Sequence, residues 1–141
     1  MQLIFTVRPE IESVLQRIGD AIGKGLSVAL KQTVLGIEAQ GVKEAPVKTS
    51  NLVNSITSYI AGLTGVVKAT APYAVFVHEG TARHTIAAGP GKALYWPGAA
   101  HPVKSVKHPG TKANPFFLRA EEKTDPPGTF NTILGRYLSG V

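Results

Sequence analysis

The chain has 141 residues, 15 Lys and Arg against 9 Asp and Glu, a formal net charge of +6 and no cysteine. That length suits one domain, 1–141, able to bury roughly two-thirds of its surface without a disulfide or metal. The composition excludes disulfide scaffolds, thiolate nucleophiles and cysteine-ligated zinc, and no apolar run reaches the roughly 18–20 residues of a membrane span.

Residues 2–7 read as a short strand of β-branched and aromatic types, ended by Arg8-Pro9. The first residues lack the basic and long apolar regions of a secretory signal, so synthesis and folding in a cytoplasm are expected. Pro9 suits the first turn of a helix, where Glu10 and Glu12 face the positive end of the dipole. Apolar or near-apolar residues then recur at Ile11, Leu15, Ile18, Ile22, Leu26, Ala29, Thr33 and Ile37, in steps of three and four. The helix is expected to run to about Glu44, with a kink or break near Gly23-Lys24-Gly25. A single apolar stripe of that length needs a sheet or a neighbouring subunit to cover it. Ala45-Pro46 stops the helix.

Leu52 to Ala61 reads as a strand, Leu63-Thr64-Gly65 as a turn, and Gly65 to Thr70 as the returning strand. Pro72 opens a short helix or turn over 73–79, closed by Gly80. Residues 84–87 and 92–96 suggest a hairpin around Gly89-Pro90-Gly91, and Val103 to Lys107 alternates as a half-exposed strand. Asn114-Pro115 caps and starts a helix to about Lys123. Asp125-Pro126-Pro127-Gly128 breaks it. A last amphipathic helix uses Phe130, Ile133, Leu134, Tyr137 and Leu138. The order is that of an α+β fold: a long N-terminal helix packed on a small antiparallel β-sheet, with short C-terminal helices and a loop-rich basic segment.

The charge is localised. Residues 80–120 hold Arg83, Lys92, Lys104, Lys107, Lys112 and Arg119 and no acid, while residues 1–79 carry 7 basic and 6 acidic groups and residues 121–141 carry 2 and 3. The stretch reads as a solvated surface, an interface for acidic protein, or a surface near nucleic acid. Tyr95 and Trp96 could stack on bases, but rings of this kind more often anchor a core or an interface. Catalytic patterns are missing: there is no G-x-S-x-G, no phosphate-binding loop and no paired carboxylates at useful spacing. The spacing of His78, His84, His101 and His108 matches no compact metal-ligand set. They are expected to be hydrogen-bonded loop and interface histidines, and neither enzyme activity nor a cofactor is expected.

Three segments together carry a family resemblance. They are Ala45-Pro46-Val47-Lys48-Thr49-Ser50-Asn51-Leu52-Val53-Asn54-Ser55-Ile56, Ala71-Pro72-Tyr73-Ala74-Val75-Phe76-Val77-His78-Glu79-Gly80-Thr81, and His108-Pro109-Gly110-Thr111-Lys112-Ala113-Asn114-Pro115-Phe116-Phe117 with Ala120. Their order and spacing resemble the gene-product-ten-like neck and tail-completion (head–tail joining) proteins of long-tailed bacteriophages. One departure is Ser50, where that family usually has Gly, and a less left-handed turn is expected for it here. The resemblance marks Pro46, Thr49, Leu52, Tyr73, Phe76, Gly80, Thr81, Pro115 and Phe116 as fold-forming. Thr49 would brace the turn, Tyr73, Phe76 and Val77 would form a buried anchor, and Gly80 would take a positive φ.

The resemblance implies a virion structural protein, made in the host cytoplasm and placed in the neck. Its partners would be copies of itself in a ring, a head-side connector and tail terminator or tail proteins, with DNA passing nearby and no membrane. The subunit is expected to be monomeric before assembly. Segment 80–112 is expected to supply loops that order on docking, through Arg83, His84, Lys92, Tyr95, Trp96, Lys104, Lys107 and Lys112. The alternative reading is a basic nucleic-acid-binding module.

Overall fold

The computed structural model describes residues 2–7, 19–48 and 50–139. The fold is α+β. Strand β1 is Leu3–Val7, helix α1 is Gly19–Glu44, and a helical turn α2 is Asn51–Asn54. Strands β2 (Ile56–Ala61) and β3 (Thr64–Ala69) follow, then helix α3 (Ala74–Glu79). Strands β4 (His84–Ala87) and β5 (Ser105–His108) precede helices α4 (Phe116–Thr124) and α5 (Pro126–Ser139). The part of the expected first helix before Gly19, and the bracing role expected of Thr49, lie outside the described residues.

Helix α1 is the spine. The expected stripe of Leu26, Ala29, Thr33 and Ile37 is buried, and Leu30 and Val34 widen it. The width has a cause: the sheet packs on one side of α1, while α4 and α5 pack on another. Buried Thr33 keeps its hydroxyl satisfied by donating to the Ala29 carbonyl at 2.7 Å. The expected break near Gly23–Gly25 is absent. The helix runs through, and Gly25 instead lets the Tyr137 ring lie against its backbone. Val28 and Leu35 remain exposed on α1.

The three-stranded sheet has the order β1-β3-β2, antiparallel throughout. Period-two alternation sends Leu3, Phe5, Ile56, Val67 and Ala69 toward α1. Gly65 lies on the same face, and a Cβ there would collide with the Val34 side chain, so glycine sets how closely sheet and helix approach. On the outer face Val66 pairs with Thr6 and Tyr59 across the strands and is buried. The Lys68 ammonium sits 5.4 Å from the centre of the Tyr59 ring.

Several local expectations are corrected. Leu52 to Asn54 is helical, not extended, and the strand begins at Ile56. Ser50 is left-handed, with φ 63° and ψ −15°, against the expectation of a less left-handed turn. That conformation turns the chain into α2, whose Asn54 N–H donates to the Ser50 carbonyl at 2.9 Å, and drops Leu52 into the core. The β2–β3 turn is Gly62-Leu63, with φ +61° at Gly62, the order a II′ hairpin turn uses. The expected break after α4 falls at Asp125, and Pro126-Pro127-Gly128 form the first turn of α5. Proline costs nothing at a position whose N–H has no helical partner, and left-handed Asp125 makes the corner before it.

The Asn114 side chain does not cap α4. Its Oδ1 accepts from Arg119 Nη2 at 2.6 Å. Arg119 also donates through Nε to Glu44 Oε2 at 3.1 Å and through Nη2 to the Glu44 carbonyl at 3.0 Å, so it caps the C-terminus of α1. Lys123 and Gln40 donate to Glu44 Oε1. Lys123 first, then Arg119 and Gln40, hold the Glu44 carboxyl down at a pKa of about 2.

Candidate functional site

Residues 81–111 form one extended two-stranded ribbon. Strand β4 pairs with β5 in the register His84↔His108, Thr85↔Lys107, Ile86↔Val106 and Ala87↔Ser105. The same register continues inward to a Thr81↔Thr111 bridge. Outward, Ala88 N–H donates to the Lys104 carbonyl at 2.8 Å, and Leu94 pairs with Val103 beyond a bulge. The expected hairpin of 84–87 with 92–96 is therefore wrong. Gly89-Pro90-Gly91 does turn, with Lys92 N–H donating to Gly89 at 3.0 Å, but inside the bulge rather than at the hairpin end. The basic segment is loop-rich as expected between Ala88 and Lys104, and its inner part is held by the hydrogen-bonded β4–β5 ladder.

Two glycines form the root of the ribbon. Gly80 (φ +76°) closes α3, and a Cβ on it would stand 2.6 Å from the Thr111 carbonyl oxygen and 2.8 Å from the Ala113 nitrogen. Gly110 (φ +89°) would place a Cβ against the Thr81 carbonyl oxygen. Both obstacles are backbone and have little room to give. Thr81 and Thr111 exchange backbone bonds of 2.9 and 3.0 Å, and Thr111 N–H also reaches Thr81 Oγ1 at 3.0 Å. Asn114 N–H donates to the Val77 carbonyl at 3.0 Å, fastening the returning strand to α3.

Beneath the root lies an aromatic core. Phe116 is fully buried, Phe117 nearly so, and Pro115 is half-buried at the start of α4. The expected anchor of Tyr73 and Phe76 is not found: they are 37% and 53% exposed. Ala74 and His78, four residues apart, form the buried face of α3, with Val77 half-buried beside them. His78 is thus a core residue rather than a loop histidine. Its ring meets Phe116 edge-on at 5.2 Å and 82°, its Nδ1 lies 2.6 Å from Glu79 Oε1, and its Nε2 has no partner among the described residues.

None of residues 81–113 is buried. Arg119, counted with the basic stretch from sequence, is engaged by Glu44. Arg83, Lys92, Lys104, Lys107 and Lys112 make no ion pair among the described residues. Tyr95 and Trp96 sit in the outer part of the ribbon, 67% and 44% exposed, so they are not core. His84 and His108 stack across the strands with ring centres 4.9 Å apart. His84 Nδ1–H donates to the Ala82 carbonyl at 2.9 Å, and His108 Nδ1 accepts from Gly110 N–H at 3.1 Å. A cleft of about 360 Å³ is lined by Arg83, His84, Thr85, Lys107, His108 and Pro109.

Sequence reading found all five cations of segment 80–112 and the exposed Tyr95 and Trp96. It missed Gly110, the polar neighbours Thr85 and Ser105, and the pairing that brings Arg83 near Lys107. No group of three or more His, Asp or Glu residues that could hold a metal occurs among the described residues. No described helix is long and apolar enough to cross a membrane.

The fold and this site define an α+β body carrying an exposed, acid-free basic ribbon. In comparison with known proteins the chain matches no family model, no curated protein and no solved structure.

Proposed function

We propose that the chain is a non-enzymatic subunit of the phage neck: a tail-completion protein that assembles into a ring at the head–tail interface. The observation that carries the reading is spatial. Two of the resembling segments, 71–81 and 108–117, are separated by 26 residues in the chain yet form one unit. That unit is α3, the glycine root, the Thr81–Thr111 bridge and the aromatic start of α4. Motifs that pack together as a mounting for a projecting ribbon fit a protein whose work is to hold on to neighbours.

The exposed surface agrees. A closed ring uses heterologous contacts, in which two different faces meet. The ribbon supplies one face, with Tyr95 and Trp96 as the rigid aromatic type favoured at interface centres. The exposed Leu35 of α1, with Lys31, lies beside Tyr59 and Ile60 of the β2 edge and supplies a second face. The test is electron microscopy of particles made by a phage lacking this protein. Full heads and unjoined tails are expected, and normally joined virions would refute the reading.

A further inference from the structure

We propose that one face of the ribbon binds the phosphate backbone of duplex DNA, with Arg83 and Lys107 as the principal cations. Successive side chains of a strand point to opposite faces, and directly paired residues share a face. In the observed ladder Arg83, Thr85, Ala87, Ser105, Lys107 and Thr111 therefore stand on one face, and His84, Ile86, Val106 and His108 on the other.

The two faces differ in chemistry. The first has a guanidinium, an ammonium and the hydroxyls of Thr85, Ser105 and Thr111, all exposed. It has no acid and nothing apolar larger than Ala87 and the root residue Pro109. The second holds the stacked imidazoles and the half-buried Val106 beside Ile86, with a single ammonium, Lys104, at its outer end opposite Ala88. A protein partner needs an apolar centre, and Lys is depleted at such centres. Phosphate oxygens take their hydrogen bonds from Arg, Lys, Ser and Thr. The first face therefore suits nucleic acid better than an acidic protein, and the second is the better protein-facing side. A two-stranded ribbon also has the width that a major groove of about 12 Å admits. The register places the Arg83 and Lys107 backbones about 8 Å apart, one strand across and two residues along, so each can reach its own phosphate.

The experiment uses the full chain and a fluorescein-labelled 20-base-pair duplex, with anisotropy titrations between 50 and 200 mM salt. Each phosphate contact contributes about −0.9 to the slope of log K against log salt. The R83Q/K107Q variant should make that slope shallower by about 1.8. It should lose more affinity at 50 mM than at 200 mM and keep the parent melting temperature, because both residues are exposed. K24Q/K48Q, which removes two exposed cations of the body, should leave the slope unchanged. No binding at 50 mM salt, or an equal slope change in both variants, would overturn the proposal. So would poly-glutamate of equal charge displacing the duplex as well as unlabelled DNA does, which would assign the face to an acidic protein. The inference rests on the ribbon and not on the neck reading. Joined particles without the protein would leave it standing, and loss of DNA binding would not touch the particle test.

Discussion

Replacing Ser50 by glycine removes a Cβ from a backbone that L-residues avoid. Ser50 has φ 63° and ψ −15°, and its side chain makes no capping hydrogen bond to α2. A left-handed conformation costs a non-glycine residue roughly 1–2 kcal/mol. Glycine relieves this but makes the unfolded chain more flexible, which costs about 0.4–1 kcal/mol. The Ser50 carbonyl bond from Asn54 is backbone and survives the change. The balance is a stabilisation of about 0.5–1 kcal/mol, or roughly 2–4 °C in melting temperature for a domain of this size. Calorimetry or thermal circular dichroism reads it directly. Ser50→Val, β-branched at the same φ, should move the melting temperature the opposite way. Asp125 is the internal comparison: it is also left-handed, at φ 42°, but its carboxylate accepts from Gly128 N–H at 3.4 Å, so Asp125→Gly should gain less. A Ser50→Gly protein that melts at or below the parent temperature, with Ser50→Val indistinguishable from it, would refute the strain argument.

Glu44 predicts a pH dependence. Its folded pKa, about 2, lies below the ordinary carboxylate value of 4.5, so the stabilisation from its ionised form is present above pH 4.5 and lost as pH falls toward 2. The melting-temperature gap between the parent and Glu44→Gln should therefore be full at pH 7 and shrink through that window, and a gap independent of pH would contradict it. Gly80→Ala combines a positive φ with a backbone collision at the ribbon root. Hydrogen exchange should show faster amides at Thr81, Ala88 and Thr111 while the α1 core stays protected, with a global loss of at least about 1 kcal/mol. Unchanged protection of those three amides would show that the root tolerates a side chain.

What was legible in the amino-acid order was local. The three-and-four spacing of Leu26, Ala29, Thr33 and Ile37 marks α1, because a helix repeats within one turn. The β2–β3 turn was found to within two residues, because two short β-rich runs flank a glycine turn, although β2 begins four residues later than expected. Leu52 to Asn54 misled because its strand propensity is weak beside the left-handed corner at Ser50, a conformation that sequence does not announce outside glycine. Tyr73 and Phe76 misled for another reason. Which side of a six-residue helix is buried depends on where Phe116 packs, and that is set 40 residues away.

The candidate site divides along the same line. The amino-acid order alone determined an α+β chain with its charge excess in one acid-free stretch, because composition and periodicity are properties of neighbours. Only the tertiary structure decided that β4 pairs with β5 across 17 intervening residues, that Arg119 belongs to Glu44 rather than to the basic surface, and that Arg83 and Lys107 share a face. Strand pairing and ion pairing join residues remote in sequence. Their choice rests on which partner can be brought close without burying an unpaired polar group, and that is settled only when the whole chain folds.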